Sequence, residues 1–511
     1  MPTHFPFLRF FCLTNSKLKA SQTPPSMGSD AASTGPLHML FFPLMSPGHM
    51  IPMVDMARLF ATRGVRSTIV TTPLNAANLR RTFDSSAGRG LPLSLHVIPF
   101  PDPAATGLAT GKENNLSAVP TAHFNTFVMA LFHFQPPFAA LLRDLRPNAL
   151  VSDCLFPWTA DLALELGIPH LIFHGAGAFP LFVLTNLVNY LPLDPSTDSF
   201  IMNGLPHPIR LYRNGLPELV DNFFMLKLLR EAEAKSYGVV VNTFYDMEPS
   251  YVDYLKNKNL QGIKAWSVGP VSLCCRAAEG RAERGDPPAD RDRVLSWLDS
   301  KLAVSVVYVC FGSLCHFSGP QLKEIALGLE ASGKAFVWVV RREAAEDAAA
   351  EAEWMPEGFE KRVEGRGLVV RGWAPQVEVL GHAAVGWFVT HCGWNSLQES
   401  VCAGVPMITW PLFHEQFINE TLVVDVMGVG VRMWEGFRRN RLQEKKVLVR
   451  AEEVAAVVGR VVGGGGEEVE AVARKAREYG EAAGKAMEEG GATYEDVTAL
   501  IQELQAKRKE E

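Results

Sequence analysis

The feature that most constrains this chain is a unit that keeps returning: a short, mostly apolar run, a loop marked by proline or glycine, a helical stretch, then another such run. LHMLFFPL (37–44), IPMVDMARLFATRG (51–64) and STIVTT (67–72) give it first. Runs that are mostly apolar without alternation fit strands covered on both faces, and parallel strands need a crossover helix between them. Within the helical stretch, Pro52 is expected in the first turn and Gly64 just past the end. The unit recurs as ALVSD (149–153), a helix from about Trp158 to Leu166, and HLIFHG (170–175). It returns as SVVYVCFGS (305–313), a helix near Gln321–Ser332, and AFVWVV (335–340). GLVV (367–370) and VGWFVT (385–390) then bracket another helical segment. The expected class is α/β, two doubly wound parallel-sheet halves with ligands at the carboxyl ends of their strands.

At roughly 150 residues per domain, the 511 residues allow two or three domains. CCRAAEGRAERGDPPADRDR (274–293) lacks apolar periodicity and reads as the linker between the halves. EAAEDAAAEAE (343–353) and GGGGEE (463–468) read as solvated insertions, and the tail from Glu467 onward as charged helix. A net charge of −6 offers no basic field for nucleic acid or anionic lipid. Eight cysteines without a CxxC pair exclude a disulfide scaffold and zinc-finger spacing, and fit a reducing cytosol. The richest apolar segment, Phe124 to Leu142, is broken by His133, Gln135 and two prolines, so no membrane span is expected. Residues 1–36 are expected to be an extension outside the core: FPFLRFFCL lacks the order of a signal peptide, and Met27 offers an alternative start.

The most informative segment runs from Trp373 to Gln416, WAPQVEVLGHAAVGWFVTHCGWNSLQESVCAGVPMITWPLFHEQ. In its middle a buried strand runs into His391-Cys392-Gly393-Trp394, and a helix is expected to open at Asn395-Ser396 with Glu399 completing an S-x-x-E capping box. A helix start after a strand presents free N–H groups and a positive dipole end, which suits a phosphate, and His391 can add a donor. Trp373 sits where an indole can stack on a flat base, and Glu415-Gln416 follow the strand MITW (407–410). Neither GxGxxG nor GxxxxGK[ST] is present, which argues against a nicotinamide oxidoreductase or P-loop protein. Base stacker, anion cradle and hydroxyl-binding pair in that order suggest a nucleotide-sugar. Trp387, Phe388 and Trp410 read as core, His382 as a structural loop histidine, and Cys392 and Cys402 as small buried side chains.

The segment closely resembles the 44-residue donor-binding box of plant family 1 UDP-glycosyltransferases, matching WAPQ, HxAVGxFVTHCGWNS, GVP, WP and EQ. The resemblance continues from about Leu37 through FPLMSPGHMIP, VSDCLFPWTAD, NTFYDMEP, SVGP, WLDSK and VYVCFGS. It implies the GT-B arrangement, two Rossmann-like domains facing across a cleft: an acceptor domain at 37–265, a UDP-sugar domain at 266–485, and a C-terminal helix at 486–511 packing back on the first. By the same resemblance Trp373 stacks on uracil beside Ala374, and Gln376 with Glu399 binds ribose. His391, Asn395 and Ser396 take the diphosphate, with Ser313 nearby, and Trp394, Glu415 and Gln416 hold sugar hydroxyls. Glutamine at the last position leans to UDP-glucose as co-substrate, with no metal and no other cofactor.

Transfer to a hydroxyl needs a base. His49 stands in SPGH between the first strand and its helix, and Asp153 ends ALVSD at the same crevice edge. A carboxylate on the histidine's second nitrogen would fix its tautomer, as in a Ser-His-Asp triad with substrate hydroxyl in place of serine. The resemblance implies inversion, from an α-linked donor to a β-glucoside. Phe124, Phe127, Phe132, Phe134, Phe179 and Phe182 supply an apolar first half, most of them core. GLATGKENN (107–115), TTPLNA and FPWTAD look like the subgroup acting on triterpenoids, steroids, flavonoids and hormones. The chain departs from that subgroup in lacking the proline after Leu108 and in placing His414 where a small residue is usual. The expected partners are a UDP-sugar and a small lipophilic acceptor, met by a cytoplasmic monomer. A nucleotide-sugar binder without turnover is the alternative from another class.

Overall fold

A computed structural model describes residues 35–108, 115–119, 123–187, 197–203, 208–217, 223–257, 262–274, 290–315, 317–340, 354–434, 448–464 and 466–510. The extension up to residue 34, the linker residues 275–289, the 343–353 tract and residues 109–114 of GLATGKENN lie outside them.

Seven strands form the first sheet: β1 (His38–Phe42), β2 (Arg66–Thr71), β3 (Leu93–Val97), β4 (Ala149–Asp153), β5 (His170–His174), and, after an antiparallel pair β6 (Ser199–Met202) and β7 (Ile209–Tyr212), β8 (Gly238–Val241) and β9 (Lys264–Ser267). Their spatial order is β3-β2-β1-β4-β5-β8-β9, all parallel. The second sheet holds β10 (Val306–Cys310), β11 (Ala335–Val340), β12 (Gly367–Arg371), β13 (Val385–Thr390), β14 (Met407–Thr409) and β15 (Gly430–Arg432) in the parallel order β12-β11-β10-β13-β14-β15. In each sheet the winding reverses at one place, between β1 and β4 and between β10 and β13. Helices leave opposite faces there, and a crevice opens at the carboxyl ends of those strands.

The apolar runs are strands because both of their faces are covered. In β1, Met39 and Phe41 pack with Met53, Phe60 and Leu500, while Leu40 and Phe42 pack on the other side with Phe127, Phe134 and Phe138. Phe42 stacks between Phe138 and Phe156, with ring centroids 4.3 and 4.2 Å away. Val307 and Val309 of β10 face one cluster and Val306 and Tyr308 another. Trp387, Phe388 and Trp410 are buried in these layers. The Ala492–Glu510 helix inserts Val497, Leu500 and Leu504 beside Met39 and Phe41, and Asp496 pairs with Lys256 at 2.6 Å. Among the described residues no helix is long and apolar enough to cross a membrane.

Four local expectations need correction. The first helix, α1, begins at Pro47 and not near Ile51, so Pro52 lies in its interior; Pro47 holds the start because its ring presets the helical φ. The capping box is absent: Gly393 is the N-cap of the Trp394–Ala403 helix, which moves Ser396 inside the first turn. The helix Arg291–Asp299 takes the last residues of the expected linker, and Gly466 with its acidic neighbours opens a helix and not an insertion.

Candidate active site

Both reversal points carry a histidine. His49 lies in the first turn of α1, directly after β1, and Asp153 is the last residue of the adjacent β4. This adjacency brings His49 Nδ1 within 2.7 Å of Asp153 Oδ2. Asp153 is fully buried, while the imidazole is 28% exposed, so the ring is open on one side only. The other carboxylate oxygen of Asp153 accepts the Leu155 N–H at 3.0 Å, which holds the carboxylate in place. Burial works against a charge on His49, yet the Asp153 carboxylate outweighs it by charge and hydrogen bond; Glu415, from the second half, adds to this, and the pKa is raised. An imidazole with its Nδ1 proton on a buried carboxylate presents Nε2 as a lone-pair acceptor.

Across the cleft, His391 follows β13 and Gly312 follows β10. Gly312 has φ +72, and a Cβ there would sit 2.7 Å from the His391 ring, so only glycine allows the two turns to meet. Burial pushes the His391 pKa down to about 4, which keeps it neutral with one N–H to donate. Its Nδ1 is buried without a hydrogen-bond partner among the described residues. Cys392 takes φ +63, a strained turn for a residue other than glycine, and Asn419 Nδ2 secures it by donating to the Cys392 carbonyl at 2.9 Å. The turn aims the amino end of the Trp394–Ala403 helix into the cleft. Asn395 and Ser396 stand on that first turn. Gln376 Nε2 reaches Ser396 Oγ at 3.0 Å and Glu399 Oε2 at 2.8 Å, tying the three together.

One cleft of about 570 Å³ contains His49 together with Ser313, Trp373, Ala374, Gln376, His391, Trp394, Asn395, Ser396, Glu399, Glu415 and Gln416. Asp153 stands behind His49, outside the lining. Gln416 Oε1 accepts the Leu412 and Phe413 N–H groups at 2.9 and 3.1 Å, which turns the amide nitrogen away from that loop. Trp394 is placed otherwise than a hydroxyl ligand would be. Its indole N–H donates to the Asn242 carbonyl at 2.8 Å, and its ring lies so close to Gly177 that a Cβ there would come within 2.0 Å. The side chain therefore bridges the two halves. His382 hydrogen-bonds Asp299 at 3.1 Å and accepts the Ala384 N–H, a loop role. Among the described residues no cluster of three or more His, Cys, Asp or Glu has the arrangement of a metal site.

Comparison with known proteins gives the family. Residues 284–438 match the family model for UDP-glucoronosyl and UDP-glucosyl transferases. The chain is 44% identical to the UDP-glucose flavonoid 3-O-glucosyltransferase 7 of Fragaria ananassa, over 94% of this chain and 98% of that protein. The chain belongs to the plant family 1 UDP-glycosyltransferases. Scopoletin glucosyltransferase of Nicotiana tabacum is 41% identical over 92% of this chain and 98% of its own length. A crystal structure of a Glycyrrhiza uralensis glycosyltransferase complexed with glycyrrhetinic acid 3-O-monoglucuronide superposes with TM-score 0.84 at 38% identity, covering 92% of this chain and 96% of that one. A Medicago truncatula glycosyltransferase complexed with UDP-glucose gives TM-score 0.74 at 27% identity, over 92% and 98%. The transferase thus has the GT-B fold, and its activity is transfer of a sugar from a UDP-sugar donor.

Several residues of this transferase that support the cleft from outside its lining carried no sequence signal of their own. Asn242, in the quoted NTFYDMEP, accepts both Trp394 Nε1 and Gln398 Nε2 on its carbonyl and the Val271 N–H on its side chain. Glu248 caps the Ala178–Leu187 helix through the Ala178 and Phe179 N–H groups, and burial pushes its pKa up to about 7. Of the six phenylalanines expected in the first half, Phe127, Phe134, Phe179 and Phe182 are buried core. Phe124 and Phe132 are half-buried, and Phe124 faces His414 with ring centroids 6.4 Å apart.

Proposed function

We propose that the protein is an inverting glucosyltransferase that moves glucose from UDP-glucose to a hydroxyl of a small lipophilic plant metabolite, giving a β-O-glucoside. The observation that carries this reading is the meeting, in one cleft, of the His49–Asp153 pair from the first sheet and the helix amino end with His391 from the second. In this reading residues 37–265 take the acceptor and 266–485 the donor. Trp373 and Ala374 seat the uracil, and Glu399 accepts from ribose hydroxyls with Gln376 beside it. The diphosphate lies on the first-turn N–H groups, with His391, Asn395, Ser396 and Ser313 donating to its oxygens. Glu415 and the Gln416 amide nitrogen hold the sugar hydroxyls, together with the Trp394 backbone.

His49 Nε2 takes the acceptor proton as its oxygen attacks the anomeric carbon on the face opposite the diphosphate. The anomeric C–O bond to phosphate breaks with its electron pair on UDP, and the fixed dipoles and neutral donors at the helix start meet that charge. Asp153 stabilises the imidazolium that forms. A single displacement inverts the α-linked donor. No metal ion is called on in this scheme.

The acceptor reading, a flavonoid, triterpenoid, steroid or hormone, draws support from the flavonoid and scopoletin named for the relatives and the glycyrrhetinic acid derivative named for the solved structure. An aromatic wall fits planar or fused-ring scaffolds, and Phe124, Phe413 and His414 provide one. A cytoplasmic monomer is in keeping with a cleft completed by one chain and with free thiols at Cys154 and Cys310.

The experiment is to offer UDP-glucose, UDP-galactose and UDP-xylose with a panel of flavonols and triterpenoid aglycones, and to read product linkage by NMR. The expected outcome is a β-glucoside, with UDP-glucose the preferred donor. An α-linked product, or UDP-sugar binding with no transfer to any aglycone, would overturn the proposal.

A further inference from the structure

α1 contains an interior proline, five residues after its first. In an unbroken α-helix the N–H of residue 52 donates to the carbonyl of residue 48. Pro52 has no N–H, and its ring crowds that carbonyl outward. The Gly48 carbonyl has a partner nonetheless: Asn395 Nδ2 donates to it at 2.5 Å, from the first turn of the Trp394–Ala403 helix in the other half of the molecule. Gly48 immediately precedes His49. A primary amide has two N–H protons, so binding Gly48 leaves one for a diphosphate oxygen.

We propose that Pro52 is a positioning residue for transfer: lacking an N–H, it leaves the Gly48 carbonyl to Asn395, whose amide then ties the diphosphate site to the turn that carries His49. The inference rests on the reading of His49 as base and Asn395 as diphosphate ligand. A proline retained for helix stability alone makes no sense, because an interior proline is the least favourable residue an α-helix can contain. Alanine at 52 restores the N–H, draws the carbonyl back into the helix ladder, and sets it in competition with Asn395. The two halves of the site then lose a shared reference point, although neither His49 nor the donor residues have changed.

The test is a cycle of Pro52→Ala, Asn395→Ala and the double variant in the full chain. Pro52→Ala is expected to lower kcat about fivefold to tenfold, the effect of one neutral hydrogen bond. The KM for acceptor and the acidic limb of the pH profile should stay in place, since Asp153 still holds His49, and Tm should equal or exceed that of the parent. In the Asn395→Ala background the same substitution should change kcat by less than about twofold, because the carbonyl's partner is already gone. A parental kcat in Pro52→Ala overturns the proposal. So does an equal loss in both backgrounds, or a lowered Tm with an equal loss, either of which returns Pro52 to packing. Full turnover in His49→Ala would instead overturn the base assignment, so the two failures are distinguishable.

Discussion

Replacing His49 with alanine is expected to lower kcat about a thousandfold while changing UDP-glucose affinity by less than about twofold. The size follows from what the ring does. An alcohol or phenol attacks the anomeric carbon poorly while it keeps its proton, and His49 is the cleft-lining imidazole backed by a buried carboxylate, at 2.7 Å. His391 cannot substitute. It belongs to the opposite sheet, and burial holds its pKa at about 4, too weak a base to accept the proton at neutral pH. Affinity for the donor should survive because Trp373, Gln376, Glu399 and the first turn of the Trp394–Ala403 helix belong to the second half and do not depend on the His49 side chain. Single-turnover rates beside calorimetric titration with UDP-glucose separate the two quantities.

Asp153→Asn should cost about a hundredfold to ten-thousandfold in kcat with little change in either KM. An amide can turn its NH2 toward His49 Nδ1. The ring would then accept there and carry its proton on Nε2, where a base needs a lone pair. The pH dependence has a definite sign. With Asp153 charged, the His49 pKa is raised, so activity falls as the pH drops through that raised value and the ring becomes protonated. Without the carboxylate, the burial that opposes charge is balanced only by Glu415, and the pKa falls. The residual activity of Asp153→Asn should therefore hold to lower pH than that of the parent. A limb that stays in place, or moves to higher pH, would show that Asp153 does not govern the ionisation of His49. Profiles of kcat/KM for acceptor at saturating UDP-glucose provide the comparison.

The parts of this molecule that were legible in the sequence are those with a local or periodic signature. Strands such as β1 and β10 read correctly because parallel strands covered on both faces carry apolar residues in succession and not in alternation. The donor segment was legible because its strand, turn and helix lie within 44 consecutive residues. His49 and Asp153 could be paired because each follows or ends a strand at the crevice edge. Illegible were the contacts that join distant segments. Nothing near Trp394 shows that its indole N–H belongs to Asn242, 152 residues earlier, and nothing near Pro52 shows that the carbonyl it frees meets Asn395. Competing local signals misled as well. Pro47 and Pro52 both suit a first turn, and Pro47 holds it. Ser396 and Glu399 have capping-box spacing, but Gly393 closes the turn and becomes the N-cap, leaving both side chains to Gln376.

The most direct measurement is a crystal structure of the His49→Ala protein with UDP-glucose. The diphosphate should rest on the amino end of the Trp394–Ala403 helix beside His391, with the anomeric carbon turned toward the space the imidazole has left. A diphosphate bound elsewhere, or a glucose ring directed out of the cleft and away from Asp153, would contradict the account.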